Sequence, residues 1–63
     1  MKFKIVFTSG AILEFEASSD QLIINYFAFL RGQFSEAQQY QGPNGTKLVL
    51  DFKQVAALYA AKP

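Results

Sequence analysis

Apolar residues occupy every second position over most of the first sixteen residues, with one interruption in the middle. They are Phe3, Ile5 and Phe7 before the interruption and Ala11, Leu13 and Phe15 after it. A period of two residues is typical of β-strands that bury one face. The interruption, Thr8-Ser9-Gly10, consists of residues that favour turns. The sequence therefore predicts a β-hairpin over residues 1–17.

The register of this hairpin follows from which side chains would face one another. A two-residue turn would place Ile5 opposite Glu14 and would mix charged residues with the buried face. A three-residue loop shifts the pairing by one position and puts Gly10 where a positive φ is favoured. The pairs are then Phe3–Phe15, Ile5–Leu13 and Phe7–Ala11 on the buried face, and Lys4–Glu14 and Lys2–Glu16 on the exposed face. We expect this second register.

The segment after the hairpin has the period of a helix. Apolar residues recur three or four positions apart at Ile23, Phe27, Leu30 and Phe34, and Tyr26 and Ala37 extend the stripe. This spacing predicts a helix whose stripe faces the core. Residues 18–20 are all good N-cap residues, and Gly32 either ends the helix near Arg31 or lies within it. We expect the helix to run from about residue 19 to between residues 31 and 38.

The next segment contains turn signals and then a third strand. Gly42-Pro43 and Asn44-Gly45 are turn dipeptides, so residues 38–45 are interpreted as a loop. After it, Leu48, Leu50 and Phe52 alternate with Lys47, Val49 and Asp51. This alternation predicts a strand with one buried face.

The last dozen residues are compatible with two structures. Residues 51–54, Asp-Phe-Lys-Gln, fit a capping box before an Ala-rich helix. Residues 52–54 also fit a tight turn before a fourth strand from Val55 to Ala61. The predicted fold is α+β, a small antiparallel sheet with one helix packed on one face. The element order is β-β-α-β-β if the last segment is a strand and β-β-α-β-α if it is a helix.

Two segments resemble a known group of proteins. Residues 48–59, Leu-Val-Leu-Asp-Phe-Lys-Gln-Val-Ala-Ala-Leu-Tyr, resemble the ending of many small phage and mobile-element proteins, in which the pattern I-N-hydrophobic-x-x-V-x-x-I forms strand, turn and strand. Residues 2–10 resemble the opening hairpin of the same proteins. The resemblance implies that the last segment is a strand, and it names no function.

Composition removes most catalytic chemistry from consideration. The chain has 63 residues, which indicates one domain, and it contains no cysteine and no histidine. Disulfides, nucleophile–base triads of the common kind, and metal sites built on thiolate or imidazole are therefore excluded. The four glycines are scattered and form no phosphate-binding motif. We expect no enzymatic activity, no cofactor and no metal.

Charge and hydropathy argue against nucleic acids and membranes as partners. The net charge is +1, so no strong field attracts nucleic acid. The outward residues of the predicted hairpin and third strand include no aromatic side chain on which bases could stack. No apolar run is long enough for a signal sequence or a membrane span, and we expect a cytoplasmic protein with no membrane partner.

The predicted helix is apolar around more of its circumference than packing on a sheet requires. The apolar arc covers roughly 220°, whereas a surface helix needs about 100°. One interpretation is that residues 32–45 and the C-terminal segment cover the flanks. The other is that the flanks form a protein interface. The candidate interface residues are Leu22, Ile24, Tyr26 and Phe29.

These observations lead to three hypotheses about function. The first is a small non-enzymatic protein-binding or regulatory accessory protein, phage-encoded as the resemblance suggests, that binds a host or phage protein. The second is a structural homo-oligomer, such as a homodimer, that buries the apolar helix flank against itself. The third is a nucleic-acid-binding module.

Overall fold

The computed structural model describes residues 1–61, which form one α-helix and five β-strands. The bounds are Lys2–Phe7 for β1, Ile12–Glu16 for β2, Gln21–Leu30 for α1, Gln38–Gln41 for β3, Lys47–Leu50 for β4 and Val55–Ala61 for β5. One antiparallel sheet has the order β2-β1-β5, and β3 and β4 form a second. The α+β class is confirmed. The predicted single sheet with the order β-β-α-β-β is confirmed only in part, because the strands form two sheets and one additional strand, β3, follows the helix.

The register of the β1–β2 hairpin is the one that charge and burial predict. The Cα partners are Lys2–Glu16, Phe3–Phe15, Lys4–Glu14, Ile5–Leu13 and Val6–Ile12. The Phe7 amide donates to the Ala11 carbonyl oxygen at 2.8 Å, which extends the ladder to the loop. Gly10 has a φ of 94°, as the three-residue loop requires.

The C-terminal segment is a strand, as the resemblance implies, and not an Ala-rich helix. Phe52–Gln54 form a 3-10 turn in which the Asp51 side chain accepts a hydrogen bond from the Lys53 amide at 3.0 Å. The chain then runs antiparallel to β1, with a register shift between Val6 and Phe7. This path buries Phe52 and Val55 in the core. Burial thus outweighs the helix propensity of the alanines, which is a matter of tenths of a kcal/mol per residue.

The prediction that residues 38–45 form a loop is wrong for their first half. Gln38–Gln41 form β3, which pairs antiparallel with β4, and residues 42–46 connect the two strands. Asn44 and Gly45 adopt positive φ angles of 58° and 75° in that connection. Asn-Gly is a strong hairpin signal, but the glutamines of β3 have little strand propensity and only Tyr40 is buried.

Helix α1 is shorter than predicted and ends in a Schellman motif. The Gly32 amide donates to the Phe29 carbonyl oxygen at 2.9 Å, and the Gln33 amide donates to the Ala28 carbonyl oxygen at 3.1 Å. Gly32 has the positive φ that this motif requires, 78°. Of the two roles predicted for Gly32, the structure therefore has the one that ends the helix near Arg31.

The predicted core stripe is confirmed only in part: Ile23, Tyr26 and Phe34 pack against the core as predicted. Phe27 and Leu30, which the periodicity placed in the core, are exposed, whereas Leu22 is fully buried. Tyr26 and Phe29 pack against the core together with Leu22. The buried residues of the core are Phe3, Ile5, Phe15, Ala17, Leu22, Tyr40, Leu50, Phe52 and Val55. Both stripes have spacings of four and three, so periodicity alone does not distinguish them.

The position of Phe52 determines which stripe is buried. Its ring is surrounded by four other aromatic rings, at centroid distances of 5.4 Å for Tyr26, 5.7 Å for Phe29, 6.0 Å for Phe34 and 6.2 Å for Tyr40. Phe52 lies in the turn between β4 and β5. The spacing of apolar residues within the helix therefore does not reveal which side of the helix contacts it. The aromatic side of the helix therefore turns toward it.

Candidate functional site

The structure separates the four residues predicted as an interface. Leu22 is fully buried, and Tyr26 and Phe29 are partly buried against the core. Only Ile24 is an exposed side chain. The placement of Leu22 on the surface is therefore wrong, and Tyr26 and Phe29 expose only part of their side chains, because their side of the helix packs against Phe52.

The exposed apolar surface of α1 consists of Ile24, Phe27 and Leu30, which we name the outer helix row. Their exposed fractions are 48%, 54% and 60%. Consecutive members are three residues apart, a spacing at which side chains are neighbours along a helix surface. The row thus forms one apolar ridge with Phe27 at its centre.

A charged residue, Arg31, lies beside this row and could have indicated from the sequence that the row is exposed. The prediction from periodicity considered only apolar residues. Arg31 follows Phe27 by four residues and Ile24 by seven, so it shares their side of the helix. Arg31 is exposed and is the C-cap residue of α1. A long charged side chain on one face of a helix indicates that this face meets solvent.

The opposite side of the helix is held by hydrogen bonds as well as by aromatic contacts. The Gln21 side-chain amide donates to Asn25 Oδ1 at 2.7 Å, and Asn25 Nδ2 donates to the Tyr40 hydroxyl at 2.9 Å. Burial raises the pKa of the Tyr40 hydroxyl, and the bond from Asn25 opposes this with a smaller effect. The outer helix row is therefore presented by a helix that is fixed at several points.

The outer face of the β2-β1-β5 sheet carries mixed charge. Lys2 Nζ lies 3.9 Å from Glu14 Oε1, and the amino group of Met1 lies 2.8 Å from Glu16 Oε2. The hydrogen bond from that amino group lowers the pKa of Glu16. Exposed pairs of this kind contribute little to stability, so the face is a balanced, solvated surface.

One aromatic side chain does lie on this face, on a strand that the sequence-based prediction did not consider. Tyr59 pairs with Lys4 across β1 and β5, and 56% of it is exposed. The sequence argument considered the outward residues of the predicted hairpin and third strand and omitted those of β5. Binding of several bases requires several aromatic rings, so a single ring on a face of balanced charge does not form a base-stacking platform.

Metal-binding clusters and membrane-spanning helices are both absent from the described residues. Among residues 1–61, no group of three or more acidic side chains is arranged to hold a metal ion. Within the same range, α1 is too short to cross a membrane.

Comparisons with known proteins give no information about the function of this chain. The resemblance to small phage and mobile-element proteins stays a prediction. No protein-family model matches the chain, and neither a curated protein nor a solved structure matches it.

Proposed function

We propose that this protein is a non-enzymatic protein-binding module that docks a regulatory partner on the outer helix row. The observation that carries the proposal is the exposure of three large apolar side chains, Ile24, Phe27 and Leu30, in one line on the only α-helix of the described residues. Apolar side chains that are clustered on a surface mark interaction sites more often than scattered ones do.

The shape of the row fits a partner with an apolar groove. A helix that docks into a groove does so through side chains three or four residues apart. Phe27 lies at the centre of the row, where aromatic anchors contribute most to binding. Arg31 lies beside it and supplies a polar contact at the rim of the interface.

The size of the row limits how much affinity it supplies. Full burial of an Ile, Leu or Phe side chain contributes about 1.5–3 kcal/mol. Since each side chain of the row is already about half buried, a partner that covers the row gains about 2–4 kcal/mol from these three residues. A micromolar complex needs about 8 kcal/mol. Other contacts around the row must therefore contribute at least about 4–6 kcal/mol.

Three immobilised proteins test this proposal: the wild type, Phe27→Asp and Val49→Asp. Val49 is 69% exposed on β4, so its variant introduces the same charge on a different surface. We expect the wild type and Val49→Asp to retain the same partner from a cell extract and Phe27→Asp to lose it. Retention of one identical set of proteins by all three would contradict the proposal.

A further inference from the structure

Strand β5 has one unoccupied side. It is the last strand in the sheet order β2-β1-β5, so it pairs with β1 and with no other strand of residues 1–61. Apart from the ladder with β1, residues 56–61 take part in no hydrogen bond within the described chain. The outer edge of β5 is therefore a row of backbone groups without protein partners.

The hydrogen bonds of β1 indicate which backbone groups of β5 face away from β1. The Phe7 amide donates to the carbonyl oxygen of Ala11, beside β2, and the Thr8 amide donates to the carbonyl oxygen of Gln54, beside β5, both at 2.8 Å. Since bonding direction alternates along an antiparallel strand, the even-numbered residues of β1 bond to β5. Their partners in β5 are Ala57, Tyr59 and Ala61. The N–H and C=O groups of Leu58 and Ala60 consequently point away from β1.

This edge lacks the residues that usually protect an edge strand. Residues 55–61 contain no charged residue and no proline. The edge strand on the other side of the sheet, β2, carries Glu14 and Glu16, and β4 has only four residues and begins with a lysine. An edge strand without charge, proline or cover is a template for another strand.

We propose that β5 pairs with β5 of a second copy, antiparallel across a twofold axis, so that two sheets form one six-stranded sheet. The pairing is centred on Leu58, which lies opposite its counterpart and supplies two of about six new backbone hydrogen bonds. Ala56 of each copy lies opposite Ala60 of the other, and Tyr59 lies opposite Ala57. The second copy fits this edge because the bulky Tyr59 meets the small Ala57 and no like charges meet.

The contact also covers the exposed ring of Tyr59. Residues diagonal to one another across a pair of strands are within reach of aromatic side chains. In the proposed register the two Tyr59 rings are diagonal neighbours above the two Ala57 methyl groups. The self-association uses the sheet edge and leaves the outer helix row free, so it is independent of the proposed binding function.

The test measures solution mass by light scattering for the wild type and Ala60→Pro. Proline at residue 60 removes an N–H that faces away from β1, so it leaves the β1 ladder intact and blocks a second strand. We expect the wild type to have twice the mass of one chain and Ala60→Pro to have the mass of one chain. Val49→Asp and Phe27→Asp should remain dimeric.

Amide exchange gives a second readout at individual residues. In the wild type, exchange at Leu58 and Ala60 should slow by about tenfold or more as concentration rises through the dimerisation range. Exchange at Ala57 and Tyr59, whose amides bond to β1, should change less. If Ala60→Pro fails to fold by circular dichroism, the double variant A56K/A60K replaces it, because it places lysines opposite each other. A wild type that stays monomeric up to millimolar concentration overturns the inference, as does a dimer that the edge variants leave intact.

Discussion

The Asn25 side-chain amide donates a hydrogen bond to the hydroxyl oxygen of Tyr40 at 2.9 Å and so connects α1 to β3. Replacement of Tyr40 by Phe keeps the buried ring and removes this bond. We expect Tyr40→Phe to lower the free energy of unfolding at pH 7 by about 0.5–1.5 kcal/mol, the net value of one such bond. Urea unfolding measures this. An unchanged urea concentration at the midpoint of unfolding would contradict this prediction, because it would show that the bond contributes nothing to stability.

The same hydroxyl makes stability depend on alkaline pH. Burial raises the pKa of Tyr40 in the folded protein above the ordinary value of 10.0. The folded state therefore holds its proton more tightly than the unfolded state does. This contribution to stability is fully present below the unfolded pKa and is lost as pH rises through the folded pKa. We expect the wild type to lose more stability than Tyr40→Phe between pH 9 and pH 11, and equal losses would contradict this assignment.

Phe52 is the side chain whose removal should be most harmful. Its buried ring contacts four aromatic rings, so Phe52→Ala leaves a large cavity. Such truncations lower the free energy of unfolding by about 3–5 kcal/mol. A domain of this size has only about 3–9 kcal/mol in total, so the variant should be largely unfolded by circular dichroism. Phe27→Ala is the matched control, and its effect should be within about 1 kcal/mol because Phe27 is exposed.

Gly42 is required for steric reasons, because a Cβ at this position would overlap the Glu16 carbonyl oxygen. Next to it, the Ser18 amide donates to the Gln41 carbonyl oxygen at 3.0 Å, so here the end of β2 meets the end of β3. We expect Gly42→Ala to lower the free energy of unfolding by about 1–3 kcal/mol, because backbone must move. Gly32→Ala is the comparison: its Cβ would meet nothing within 4 Å, so only the positive φ, about 1 kcal/mol, opposes it. A smaller loss in Gly42→Ala than in Gly32→Ala would contradict the steric explanation.

The β1–β2 hairpin could be predicted in full because two independent constraints agree on its register. Burial requires Phe3 opposite Phe15, and charge requires Lys4 opposite Glu14, and only the three-residue loop satisfies both. Strand β3 could not be predicted in the same way, because three of its four residues are glutamines with no apolar alternation. It is stabilised by pairing with β4, a partner that local sequence does not reveal.

The exposed apolar side of α1 was mostly predicted incorrectly from the sequence. Ile24 was identified correctly as exposed, whereas Phe27 was assigned to the core. The two apolar stripes of α1 have the same period, and the choice between them depends on Phe52, more than twenty residues away in sequence. Arg31 was the local residue that could have distinguished them.

The position of Phe52 has a consequence for how the protein unfolds. It lies in the covalent connection between the two sheets, and its ring touches the helix and β3 at the same time. Neither α1 nor β3 can separate from the connection between the sheets without losing its aromatic contact with Phe52. Unfolding should therefore be cooperative, with the helix and both sheets lost in a single transition and the slowest-exchanging amides of all three reporting the same free energy.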